Sequence, residues 1–237
     1  LFLPNPSFKR DAITAPLIQT LAFEESMTSE EELQKKRTPD ELASYIDSIF
    51  DSIKADKDAR KIARMKKDVF KVLIEEIYPF SIYCKLKYAG KNVLCRPVIG
   101  NQGFDATIES NTGELIELVE FTWPIDGQKE HFKCKQLNEK DHTDVEIWDY
   151  NDNSKIMDLI DRIIKKAHDK SLINYKTEKG SALVFVLDIV PYFDLERLEH
   201  KEKIEFLKTK LKEIKFNVKA QYILLLPIQE LIEIKNS

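Results

Sequence analysis

Apolar positions recur every three or four residues through the first third of the chain and every second residue beyond it. Leu42, Tyr45, Ile46, Ile49, Phe50 and Ile53 fall on one face of an amphipathic helix. Thr38-Pro39-Asp40-Glu41 predicts where that helix starts, with threonine as N-cap, proline at the first helical position and acids in the first turn. The preceding stretch, Ser26–Arg37, is mostly charged and reads as an exposed helix or connection. A second stripe, Ile62, Met65, Val69, Val72, Leu73 and Ile77, predicts a longer helix over 58–78, ended by Pro79.

From Phe80 the period shortens to two. Ser81–Tyr88, Asn92–Val98, Gly103–Glu109 and Glu114–Trp123 read as successive strands separated by turn residues, and Lys129–Gln136 with Asp144–Trp148 as a further hairpin. Asp152-Asn153-Ser154 then caps a helix whose stripe is Ile156, Leu159, Ile160, Ile163 and Ala167. Ala182–Asp188 and Gln221–Leu226 are continuous apolar runs, the pattern of strands covered on both faces, and a charged amphipathic helix over 195–214 lies between them. Strand, helix, strand of this length predicts a right-handed crossover. The expected fold class is α/β, a central mixed β-sheet flanked by helices. A helical N-terminal region (1–56) precedes the α/β domain (57–237).

With 43% hydrophobic and 33% charged residues, the 237-residue chain has enough apolar material for a core and too much for a disordered segment. Its longest apolar runs are strand-sized, far short of the ~20 residues that span a bilayer. No basic stretch leading into an apolar one opens the chain, so a soluble, cytoplasmic protein is expected. Three unpatterned cysteines argue for a reducing compartment. Because 41 acids outnumber 37 bases, contact with a polyanion must come from a local patch. Residues 54–71 supply one, with eight basic side chains against three acidic, and Lys61, Arg64, Lys67 and Lys71 are its candidate phosphate contacts.

Three acids sit where burial alone would not place them. Glu76 falls in the middle of the apolar stripe of its helix, whereas Glu75 points away. It needs a partner, a metal or an emerging last turn. Asp105 shares one strand face with Thr107. Glu120 shares one with Ile116, Leu118 and Thr122, a face expected to be covered. If Ser110 pairs with Gly113, Asp105 faces Leu118 and lies diagonal to Glu120, and a divalent ion fits between the two carboxylates. A one-residue slip would send them to opposite faces.

This arrangement resembles the PD-(D/E)XK superfamily of phosphodiesterases, to which restriction endonucleases belong. There, an acid-bearing helix precedes a meander; an Asp on one strand and an acidic-x-Lys unit on the next form the site; a helix and a further strand complete the core. The resemblance covers roughly residues 60–190. Glu76 matches the helix acid, Asp105 and Glu120 the strand acids and metal ligands, and Thr122 the position of the lysine. It implies a restriction-endonuclease-like fold and Mg²⁺- or Mn²⁺-dependent hydrolysis of DNA, with a restriction-modification or defence role and a homodimer to cut both strands. Threonine has neither the charge nor the pKa of the lysine it replaces, so a lysine must arrive from elsewhere, Lys166 being one candidate, or the chemistry is lost. The alternative is an inactive member of the same architecture that binds nucleic acid or protein. A third reading is an unrelated structural or regulatory subunit. Other signals are weaker. His131, Cys134 and His142 hint at zinc, but residues three apart point to opposite faces of a strand. Asp141–Asp152 lacks the glycine and terminal glutamate of a calcium loop, and six scattered glycines cannot form a nucleotide loop.

Overall fold

The computed structural model describes residues 29–67, 69–124, 127–140, 153–173, 175, 180–188, 198–226 and 228–234. Asp144–Trp148, Asp152 and His142 lie outside them. The chain opens with a short helix α1 (Glu30–Leu33) and then α2 (Pro39–Ala55). The predicted start of α2 is formed as a capping box: Thr38 Oγ1 accepts from the Glu41 N–H at 3.3 Å, and Glu41 Oε2 accepts from the Thr38 N–H at 2.9 Å.

The helix expected over 58–78 is broken. Helix α3 (Lys57–Arg64) ends in a left-handed residue, Lys66 at φ 48°, and a single turn, α4 (Val69–Val72), follows. A π turn over Leu73–Ile77 then sends the Tyr78 N–H back to the Leu73 carbonyl. Pro79 does not end the helix. It sits in the first turn of α5 (Tyr78–Tyr88), where its lack of an N–H is tolerated. The strand expected over Ser81–Tyr88 is therefore helix, and so is Lys129–Gln136, which lies within α6 (Gly127–Lys140). Pro79 to Cys84 are all buried, so α5 shows no polar face and its sequence carries no helical period.

Six strands, β1 (Val93–Pro97), β2 (Ala106–Ser110), β3 (Leu115–Thr122), β4 (Ser181–Leu187), β5 (Ala220–Leu225) and β6 (Glu230–Glu233), pair in sequence order in one sheet. The first three form an antiparallel meander, β3, β4 and β5 run parallel, and β6 returns antiparallel. Helix α7 (Asn153–Ser171) leads into β4 and α8 (Leu198–Glu213) connects β4 to β5. The protein is thus α/β, with a six-stranded mixed sheet between helical layers. On one face α2 and α5 bury Leu42, Ile46, Ile49 and Tyr83 against Ile108, Val119, Phe121 and Val184. On the other, α7 and α8 bury Ile160, Ile163, Leu207 and Leu211 against Leu183, Phe185 and Ile223. Strands β4 and β5 are covered on both faces, as their unbroken apolar runs predict. The described part of the N-terminal region shares the first of these cores.

The register between β2 and β3 differs from expectation. Ala106 pairs with Val119 and Ile108 with Glu117, but Glu109 pairs with Leu115, leaving Ile116 as the extra residue of a bulge. Relative to a Ser110–Gly113 pairing the strands have slipped by one residue at the turn and by one more at the bulge. Two slips in the same sense preserve the faces, so Asp105 and Glu120 stay on one side. The bulge turns Ile116 out, to 37% exposure rather than the covered position expected of it, and Glu117 in, to 7%. There Glu117 accepts hydrogen bonds from Tyr83 at 2.7 Å, Tyr88 at 2.9 Å and the Lys87 ammonium at 2.7 Å. Burial and the neighbouring carboxylate push both phenols well above their ordinary range.

Candidate active site

Asp105 lies one residue before β2, and two hydrogen bonds set it astride Glu120. Its N–H donates to the Val119 carbonyl at 2.8 Å, and its Oδ2 accepts from the Phe121 N–H at 2.7 Å. Burial pushes the Asp105 carboxyl up to about 6; the Phe121 N–H opposes this, the charge of Glu120 adds to it, and the Lys170 ammonium again opposes it. Glu120 is in register with Leu183 of β4, on the sheet face covered by α7 and α8. The expectation that two strand acids converge is met by geometry.

Glu76 arrives from the opposite layer. The indole of Trp123, the residue following β3, donates to the Glu75 carbonyl at 2.6 Å and ties the π turn to that end of the strand. Glu76 has no hydrogen-bond or ion-pair partner among the described residues. Burial pushes its carboxyl up to about 7, helped by the charges of Asp105 and Glu75 and opposed by Lys71. All three acids therefore act on one another through Asp105, and each is partly buried.

Lys166 is not at the site. It points to solvent, and the lysine that reaches Glu120 is Lys170, one turn later on α7. Its ammonium pairs with Glu120 Oε1, and the Tyr175 hydroxyl donates to Glu120 Oε2. Burial, together with that carboxylate, pushes the Tyr175 phenol well up. The sequence held a signal for Lys170: the buried positions Ile156, Ile160, Ile163 and Ala167 step by four and three residues, and the next step lands on it. A lysine on a buried stripe needs an anion. Tyr175 carried no comparable signal. Thr122, at the position of the expected lysine, is 5% exposed, and its Oγ1 has no hydrogen-bond partner among the described residues.

The basic run does not form one helical face, because α3 and α4 are separate. Lys61 and Arg64 lie on α3, whose Lys61 carbonyl accepts from Asn138 of α6 at 2.9 Å; Lys67 lies in the break. Lys71 comes near the acids, its charge holding Glu76 down. Lys66, turned by its left-handed backbone, pairs with Glu75 at 3.1 Å. As for zinc, His131 and Cys134 sit on a helix, where residues three apart share a face, rather than on the expected strand.

Among the described residues, no three His, Cys, Asp or Glu side chains gather closely enough to hold a metal ion by themselves. The donor set nevertheless fits a hard divalent cation bound as magnesium usually is, through one or two carboxylates with the remaining positions left to water and phosphate oxygen. Asp105 and Glu120 are two such carboxylates on neighbouring strands, and the repulsion between them is what a cation would relieve. Glu76 would act beside that pair rather than as a third direct ligand. No protein-family model, curated protein or solved structure matches the chain. No helix of the described residues is long and apolar enough to cross a membrane.

Proposed function

We propose that this protein binds DNA and hydrolyses its phosphodiester bonds with a divalent cation, in the manner of a restriction-endonuclease-like PD-(D/E)XK enzyme. One observation carries the reading: Asp105, one residue before the second strand of a meander, accepts from the Phe121 N–H beside Glu120 of the third strand, while the Lys170 ammonium of α7 pairs with Glu120 and the charge of Asp105 reaches Glu76 of the preceding helical segment. The element order supports it as well. An acid-bearing helical segment, an antiparallel meander, two helices and a parallel strand follow one another.

A cation at Asp105 and Glu120 would polarise the phosphoryl oxygen and make the attacking water more acidic. The remaining work falls to the chain itself. Water oxygen bonds to phosphorus as the P–O ester bond breaks, the water proton must go to a base, and the departing ester oxygen takes up a proton from solvent water. Glu76, without a partner among the described residues and with its carboxyl pushed up to about 7, would take it. Lys170 would supply the positive charge that Thr122 lacks against the negative charge developing on the phosphate. Lys71, whose charge reaches Glu76, and Lys66, which pairs with Glu75, would bind flanking phosphates. Cutting both strands would bring two copies together.

The test is cleavage of supercoiled, linear duplex and single-stranded DNA by the full chain in Mg²⁺ or Mn²⁺. Cleavage is expected, and Asp105→Ala or Glu120→Ala should lower it by about a hundredfold or more, the scale of removing transition-state charge stabilisation. Thr122 and the occupation of both Glu120 oxygens favour a second reading, a binding module whose chemistry is silent. It predicts salt-sensitive DNA retention that neither substitution nor chelator alters. Neither cleavage nor retention at low salt would leave an unrelated subunit.

A further inference from the structure

We infer that Lys170 is the site's resident counter-cation, holding Glu120 until a divalent cation displaces it and thereby releasing its ammonium to the phosphate. The inference rests on the metal-dependent reading above and adds a regulation to that site.

Both Glu120 oxygens are taken, Oε1 by the Lys170 ammonium and Oε2 by the Tyr175 hydroxyl. Each oxygen keeps a second lone pair, but an ammonium and a divalent cation on the same carboxylate repel each other, so a cation gaining Glu120 weakens the Lys170 contact. The Lys170 charge also reaches Asp105, where it opposes the effects of burial and of Glu120. One ammonium thus serves both strand carboxylates, the task a divalent cation would perform. A divalent cation carries twice that charge and takes oxygen ligands at shorter range, so it competes effectively for them.

The surroundings favour exchange over a fixed salt bridge. The backbone at Lys170 is held, since its carbonyl accepts from the Ile173 N–H at 3.1 Å, while the side chain is 25% exposed on a flexible four-carbon stem. It can therefore swing without unwinding α7. A second observation lies on the same face of the strand. Thr122 Oγ1, two residues beyond Glu120 on the same face of β3, is buried and makes no hydrogen bond among the described residues. A buried hydroxyl without a partner is costly, and water or a phosphate oxygen arriving with the cation would satisfy it.

The experiment measures Mn²⁺ binding to the full chain without DNA, by loss of the free-ion electron paramagnetic resonance signal, for wild type, Lys170→Met and Lys170→Gln. Removing the competitor should tighten Mn²⁺ binding about tenfold, as expected when one charge-assisted contact no longer has to be broken. Lys170→Arg, which keeps the charge, should bind Mn²⁺ within about twofold of wild type. In Ca²⁺, DNA retention by Lys170→Met should fall even though the cation binds better, and this opposed movement is the signature of the exchange. If one of the two neutral variants is unfolded by circular dichroism, the other decides. Equal or weaker Mn²⁺ binding by the folded neutral variant overturns the inference while leaving the nuclease reading intact. Absence of any Mn²⁺ site sensitive to Asp105→Asn, in wild type and variants alike, overturns the metal-dependent reading itself.

Discussion

Glu76 and Asp105 are carboxyls whose protons are held more tightly by the folded chain than by the unfolded one, near 7 and 6 against ordinary values of 4.5 and 3.8. The stability they contribute is therefore fully present below the unfolded values and is lost as pH rises through the folded ones, across about pH 4 to 7. Without a cation, the protein should lose stability over that window. Glu76→Gln removes the ionisation and keeps the shape. It should leave the melting temperature unchanged near pH 4 and raise it at pH 8, by about 1–2 kcal/mol after allowing for solvent screening of a half-buried group, or roughly 2–8 °C. Thermal scans at both pH values check this, and an equal effect at both would mean that the Glu76 carboxyl is not strained by its surroundings. The same substitution should slow cleavage if Glu76 takes the proton. Raised stability with lowered activity is the trade expected of a site residue.

At the level of elements, the π turn decides where Glu76 points. Pro79 has no N–H, so the carbonyl four residues earlier, Glu75, lacks its helical donor, and the Trp123 indole takes that place at 2.6 Å. Trp123→Phe should cost about 1–2 kcal/mol for the orphaned carbonyl, beyond any loss of packing. Pro79→Ala returns an N–H at the right position. The double variant should therefore recover part of the loss, with a coupling of about 0.5–1.5 kcal/mol in urea unfolding. Strictly additive losses would show that the indole bond and the missing donor are unrelated. None of this is legible in the stripe of residues 62–77, which a straight helix explains equally well, because a π turn leaves no compositional mark. What sequence does reveal is local chemistry with one solution, such as the Thr38–Glu41 capping box or the doubly buried runs of β4 and β5. Helix α5 escapes such reading because its first seven residues are nearly all buried and no polar face remains to show the period. The sequence pattern brings Asp105 and Glu120 together through a Ser110–Gly113 register that the structure does not adopt, and they stay on one face because the turn and the bulge each shift the pairing by one residue.

Across the whole molecule, the candidate site is held between layers. Glu76 comes from the α2 and α5 side, Lys170 from the α7 side, and β3 between them carries Glu117 toward one and Glu120 toward the other. Residues 29–56 are part of this assembly rather than an appendage to it. Leu33, Leu42, Ile46, Ile49 and Ile53 are each at most 5% exposed within the same core as Ile108 and Val119. Arg37 and Cys95 exchange backbone hydrogen bonds at 3.0 and 2.7 Å, which covers the outer edge of β1. The division at residue 56 thus cuts through one core, because α2 and α5, on either side of it, pack on the same face of the sheet. Five buried aliphatic side chains at about 1.5–3 kcal/mol each amount to roughly 7–15 kcal/mol, as much as the whole stability of a typical domain. A chain limited to residues 57–237 should consequently show no cooperative thermal transition by circular dichroism, and its uncovered β1 edge should make it associate. A sharp transition within a few degrees of the intact protein would show instead that the sheet and its site stand without the first helices, and that Glu76 needs no support from α2 to meet Asp105.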